Sequence, residues 1–274
     1  MTLSISLSQA CRLGPFSLKR HMAITGFWTL LRRETYRFMR LFRQTIVPPV
    51  VNTLMFILIF GHALGSSIRQ IDGFDYIVYI LPGLAQLGII NNAYANTSTS
   101  VFMARLERSI ENVLTAPLRY LEIVLALMIG GILRGLVVGA ATLLVSVFFV
   151  DIPIPHPIYL LISWTLTSAL FSALGFICAL MAENWDQIAL FTNFFITPAV
   201  YLGGTFYSIN SLSPFWQSVM RLNPIYYCID ATRYALLGRA DDAIGFTLGM
   251  TLFLTLICVA IATILIKRGY KLIT

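Results

Sequence analysis

Residues 158–182 read IYLLISWTLTSALFSALGFICALMA, a run without a single charged side chain. At about 1.5 Å per residue a helix of this length reaches roughly 37 Å, enough to cross the ~30 Å hydrocarbon layer of a bilayer. Five further runs flank it at similar length: about Thr45–Ile68, Tyr76–Met103, Ile123–Val150, Gln187–Phe206 and Ala243–Ile266. The first opens with Pro48-Pro49, which suits a first helical turn, and the third is closed by Asp151 and the proline-rich stretch 153–157. The expectation is an all-α membrane protein of six transmembrane helices forming one domain over residues 1–274.

Composition agrees. The chain is 58% hydrophobic and 11% charged, with a mean hydropathy of +0.80. Soluble domains run near 45–50% apolar and about 25% charged, so too few charges exist here to clothe a water-facing surface. The net charge of +7 does not point to nucleic acid, because the basic residues gather at the ends of apolar runs, where they set topology. The first twenty residues lack the apolar core of a secretory signal, so no cleavable segment is expected. None of the four cysteines (Cys11, Cys178, Cys228, Cys258) forms a C-x-x-C pair, and neither a disulfide framework nor a metal site is expected.

Orientation follows from the basic residues. Arg12, Lys19, Arg20, Arg32, Arg33, Arg37, Arg40 and Arg43 precede the first span. Arg105, Arg108 and Arg119 lie between spans two and three, and Lys267, Arg268 and Lys271 follow the last. Fourteen of the nineteen thus fall on one side, against Arg69, Arg221, Arg233 and Arg239 on the other, with Arg134 inside a span. Both termini are expected in the cytoplasm.

Three stretches outside the spans carry further information. From about Phe27 to Thr45, Phe27, Leu31, Phe38 and Phe42 recur at helical spacing while Arg33, Arg37 and Arg40 fall on another face, so a basic amphipathic helix is expected to lie in the interface with its apolar face in lipid. Residues 104–122 (ARLERSIENVLTAPLRYLE) mix both charge signs and are too polar to span. As a helix they expose Arg105, Arg108, Glu111 and Asn112 and stop before Pro117, which fits either a solvated helix or a docking surface. Residues 206–242 are long and apolar for a loop. Ser213-Pro214 reads as a helix start, Asn223-Pro224 as a break and Gly238 as a stop, giving two short helices that dip into the outer leaflet. Asp230 and Arg233, three apart, are placed to pair across one turn.

No G-x-x-x-x-G-K-[ST], H-E-x-x-H or G-x-S-x-G motif occurs, and His21, His62 and His156 are far apart in the chain. No catalytic residue or bound cofactor is therefore expected in this chain. Polar residues inside spans are the better guides, since each costs free energy in hydrocarbon. Asn92, Asn96 and Ser100 recur every fourth position of span two and form one stripe, which suits a transport pathway or interhelical hydrogen bonding equally. Arg134 lies about 16 Å into span three and must face protein or water. Gly130-Gly131 and Gly135-x-x-x-Gly139 permit close helix approach, and Pro198 and Gly203-Gly204 mark where span five bends.

The layout, the amphipathic helix, ENVLTAPL (residues 111–118) and YLGGTFYSINSLSPFWQSVMRLNPIYYCIDATRYALLG (residues 201–238) resemble the ABC-2 permease family, close to its nodulation-factor and drug-export branch. Asn223, Pro224, Arg233 and Gly238 are the external-helix motif of that resemblance. It implies a dimer of this chain bound to two cytoplasmic ATP-binding subunits, which hold the ATP and Mg. Ala104–Thr115, with Arg105, Glu107, Arg108, Glu111 and Asn112, would be the coupling helix that docks on them. Spans one, two and five would line the pathway, with Asn92, Asn96, Arg134 and Tyr201 as candidate lining, and Leu212–Leu222 and Ile225–Leu237 would cap it. The implied activity is export of a lipid, glycolipid, polysaccharide or hydrophobic compound across a bacterial inner membrane. A secondary transporter driven by an ion gradient is the alternative; it expects repeated halves and acidic residues at mid-membrane, which the chain lacks.

Overall fold

The computed structural model describes residues 15–40, 42–60, 70, 71, 73–116 and 118–271; side chains of 15–24 and 38 are outside the description. The last third of the first expected span, 61–68, lies outside it, as do Cys11, Arg12, His62 and Arg69. The chain is an all-α membrane protein. In order, α1 spans Pro15–Arg40, α2 Phe42–Leu58, α3 Tyr76–Leu106, α4 Ser109–Thr115, α5 Tyr120–Val147, α6 Pro157–Met181, α7 Trp185–Thr205, α8 Pro214–Arg221, α9 Pro224–Leu237 and α10 Ile244–Lys267. Two short antiparallel strands, β1 (Gln70–Ile71) and β2 (Phe74–Asp75), precede α3. Helices α3, α5, α6, α7 and α10 are each long and apolar enough to cross a membrane. A sixth crossing follows if α1 and α2, bent by 56° at their junction, count as one.

Helix α3 sits at the centre, against α5, α6 and α9. The most apolar window of α3 is 72% buried in the protein, against 33% for α7 and 22% for α10. Glycines let the central helices meet: a Cβ on Gly175 of α6 would stand 2.6 Å from the Tyr94 carbonyl of α3. The expected bend in span five appears as two π-helical turns, at Thr192–Ile196 and Tyr201–Thr205, the second holding Gly204 at φ 86°.

Three local expectations are corrected. Pro48 and Pro49 are interior to α2, because that helix starts at Phe42 rather than Thr45, so two rungs of its hydrogen-bond ladder are absent there. Helix α1 does not simply rest in lipid. Leu30 and Glu34 are buried and Phe27 packs on the main core, while Trp28, Tyr36 and Met39 are the exposed apolar groups. Residues 104–115 are not one helix: α3 ends at Leu106, Arg108 takes φ 54°, and α4 restarts at Ser109. Between α6 and α7, Glu183 pairs with Lys271 at 2.8 Å, which lowers its carboxyl pKa by hydrogen bonding and charge.

Candidate functional site

Candidate residues fall in three places along the bundle axis. The first is a polar layer where α1, α3 and α5 meet. The stripe expected on span two is present on α3, and it turns inward because apolar positions compete better for lipid. Asn92 Oδ1 accepts from Arg134 Nε at 3.1 Å, and Asn92 Nδ2 donates to the Gly88 carbonyl. One turn on, the carbonyl oxygen of Asn96 accepts from Arg37 Nη2 at 2.9 Å. A further turn on, Ser100 donates to Glu34 Oε2 at 2.7 Å. Glu34, 1% exposed, is ion-paired to Arg37 at 3.0 Å and to Arg33 at 3.4 Å.

Arg134 and Asn92 thus come together, while Asn96, one turn on, is held by Arg37. Tyr201 does not belong to this layer; it is part-exposed on the second π-helical turn of α7, its ring 5.5 Å from Phe206. Glu34 and Arg37 are members that sequence reasoning left out. Their i,i+3 spacing was visible, but the basic face of α1 was assigned to the interface. Beside the layer, α2 and α3 enclose a groove of about 210 Å³ whose walls include Gln44, Thr45, Asn52, Phe56, Leu84, Leu87, Asn91 and Asn92.

The second place is the end of the bundle where α3 gives way to α4. Glu107, Arg108, Glu111 and Asn112 are exposed there. Arg105 faces inward instead: its Nη1 donates to the carbonyls of Ala179 (2.6 Å) and Ala182 (2.9 Å), the last turn of α6. A guanidinium suits such C-terminal carbonyls, which have no helical N–H partner.

The third place is the opposite end. Ser213 and Pro214 start α8 and Pro224 starts α9, whose N-cap Asn223 accepts from the Ile225 N–H at 3.0 Å and donates to the Ala199 carbonyl of α7. Gly238 ends α9 at φ 73°, a conformation that favours glycine. Arg233 does not pair with Asp230. Its partner is Asp241 at 3.3 Å; it also donates to the Gly204 carbonyl and lies 4.3 Å over the Tyr79 ring. Asp230 accepts the backbone N–H groups of Asp241 (2.8 Å) and Asp242 (3.3 Å). The turn at Gly238 returns the chain along α9, so residues eleven and twelve positions on displace the one-turn neighbour.

Among the described residues no group of three or more His, Cys, Asp or Glu side chains is placed to hold a metal ion. A family model of the ABC-2 type transporter matches residues 25–237. The chain is 39% identical over 248 residues to the inner membrane transport permease YadH of Escherichia coli (strain K12), covering 90% of this chain and 96% of that protein. It is 26% identical over 201 residues to nodulation protein J of Sinorhizobium fredii, covering 73% and 74%. Nodulation protein J of Rhizobium meliloti (strain 1021) is 22% identical over 243 residues, covering 88% and 93%.

Proposed function

This chain belongs to the ABC-2 type transporter family as a multi-pass transport permease of the inner membrane, and from that premise we propose that it is the membrane half of an ATP-driven exporter. Two copies pair with two cytoplasmic ATP-binding subunits, which hold ATP and Mg and perform the hydrolysis. The cargo is a lipid, glycolipid, polysaccharide or hydrophobic compound. Both termini and α4 face the cytoplasm in this reading, which the distribution of basic residues supports.

The observation that carries this reading is the junction of α3 and α4. Four exposed polar or charged residues (Glu107, Arg108, Glu111, Asn112) stand at the end of the central helix, outside the apolar layer. A subunit bound there would push directly on the helix that bears the polar stripe. Arg105 extends the connection, since it ties the same junction to the last turn of α6. Arg105 is thus a strut between helices, and the docking surface itself is Glu107–Asn112.

The reading is tested by copurification with the ATP-binding subunit. Glu111→Lys inverts an exposed charge without touching the core, so it should lower recovery of that subunit by about tenfold, roughly 1.4 kcal/mol, at unchanged recovery of the permease. Full coupling of ATP hydrolysis after deletion of 107–112 would end the assignment of this segment. Transport by the chain alone under a proton gradient would favour the ion-driven alternative. Glu34, the buried carboxylate that such a mechanism would need, is already held by two arginines and a serine.

A further inference from the structure

Three carboxamides on the walls of the groove between α2 and α3 have no partner among the described residues. Gln44 and Asn52 on α2 and Asn91 on α3 line it, and their side chains form no hydrogen bond to any of those residues. Asn91 Oδ1 is a buried acceptor without a donor, and the soft terminal torsion of an amide lets it turn to a group in the groove. Asn92 differs, since Arg134 and the Gly88 carbonyl use both ends of its amide. Pro48 stands between Gln44 and Asn52 on the same wall and offers no N–H to the Gln44 carbonyl four residues before it. An amide in a span costs free energy until something meets it, and here the cost is gathered in one groove.

The walls select by chemistry. None of the described residues that line the groove is charged, so an anion would find no cation there and a cation no carboxylate. Hydrocarbon alone would leave the amides unmet. A carboxamide sets an N–H donor beside a carbonyl acceptor, and a hydroxyl, which both donates and accepts, matches either. Apolar residues alternate with the amides instead of gathering at one end: Asn52 is one turn from Phe56 on α2, and Asn91 is one turn from Leu87 on α3. A sugar ring carries the same mixture, with hydroxyls around its edge and C–H groups on its faces. Phe56 offers such a face a platform already held in place, its ring centroid 5.8 Å from Phe60 in a stack and 5.9 Å from Phe206.

We propose that this groove is a cargo subsite for an uncharged glycosyl group, its hydroxyls held by Gln44, Asn52 and Asn91 and a C–H face laid on Phe56. The proposal rests on the transport reading and narrows its cargo class. The same walls serve a lipid-linked sugar and a free saccharide, so the shared chemistry is what the groove recognises.

The test uses the purified full chain in a polyoxyethylene detergent, free of glycosides, with no ATP-binding subunit present. Fluorescent glucosyl-diacylglycerol should bind at least about tenfold more tightly than the chain-matched diacylglycerol, the preference expected of two or three neutral hydrogen bonds. Chain-matched phosphatidic acid should show no such gain. Gln44→Leu with Asn52→Leu alters two exposed positions of α2 and should reduce the preference to less than about threefold. A photoactivatable glucosyl lipid on the unmodified chain should crosslink within residues 44–56 or 84–92, a readout that stands even if the double variant fails to fold. Dodecyl maltoside should displace the probe under either source of the sugar; millimolar maltose should do so only if a free saccharide is the natural occupant, and both results support the glycosyl assignment. Equal binding of glucosyl-diacylglycerol and diacylglycerol, tighter binding of phosphatidic acid, full preference in the folded double variant, or crosslinks confined to other segments would each overturn the proposal. So would complete chain-to-chain disulfide formation at Asn52→Cys, unaffected by the glycolipid, because a second copy would then fill the groove. Failure of the transport reading would appear separately, as absence of a copurifying ATP-binding subunit with the glycosyl preference intact.

Discussion

Arg233 shows how far a single residue can be read before folding. The sequence placed it three positions after Asp230, and one-turn pairing was the local expectation. It was wrong for a reason outside local spacing. Asp230 is buried, and its oxygens serve two backbone N–H groups of the returning chain. Arg233 is left to Asp241, to the Gly204 carbonyl at the kink of α7, and to the face of Tyr79. It therefore joins α9, α7 and α3 at one point. Arg233→Met keeps the length and removes every donor, so Asp241, whose side chain is 9% exposed, loses this ion pair and keeps the hydrogen bond from Asn210 Nδ2. The expected loss is about 3 kcal/mol, seen as a lower melting temperature in detergent. Adding Asp241→Asn removes the carboxylate charge that Arg233 balanced and should restore part of the loss. An unchanged melting temperature in the single variant would show that the contact is not structural.

Among elements, the helices were legible and their breaks were only partly so. Periodicity and hydropathy found each long helix, and Pro198 with Gly203-Gly204 announced the bend in α7. The left-handed turn at Arg108 was invisible, because nothing in LERSIEN favours a positive φ; it is imposed by tertiary contacts that hold Arg105 on α6 and Ile110 in the core. Helix–helix distances were better announced, through the glycines of α5, where a Cβ on Gly131 would stand 2.9 Å from the Ala93 carbonyl. Gly175 of α6, which the sequence reading did not single out, makes the same kind of approach. Gly175→Ala tests this directly, since the added methyl meets the Tyr94 carbonyl, a backbone atom that cannot rotate away. Overpacking of that kind costs about 1–3 kcal/mol, so the variant should melt earlier and elute less uniformly on size exclusion. Gly249→Ala on α10 meets nothing within 4 Å and should be neutral or slightly stabilising. Equal behaviour of the two would mean that α3 and α6 are not held as closely as described.

In the whole molecule the relation of hydropathy to burial runs, at its two extremes, opposite to that of a soluble protein. Helix α10 has the highest window hydropathy, 2.5, and the least buried surface, whereas α3 has the lowest, 1.2, and the most. With lipid as solvent the apolar faces turn outward, and hydrogen-bonding side chains such as Thr247, Thr251 and Thr255 of α10 turn in. Hydropathy therefore revealed which segments cross, and polar residues at helical spacing revealed which faces meet. The partners those faces choose depend on chain returns such as the one after Gly238, which no local pattern contains. Orientation is the remaining property of the whole chain, and the proposed one rests on the sequence alone, which assigns fourteen basic residues to one side of the spans against four to the other. Single cysteines at two exposed positions, Glu111→Cys on α4 and Ser218→Cys on α8, placed in a chain whose native cysteines are replaced, separate the two orientations. A membrane-impermeant maleimide applied to spheroplasts should label Ser218→Cys at once and Glu111→Cys only after permeabilisation. The reverse pattern would place α4 outside, remove it from the reach of any cytoplasmic ATP-binding subunit, and end the coupling assignment with it.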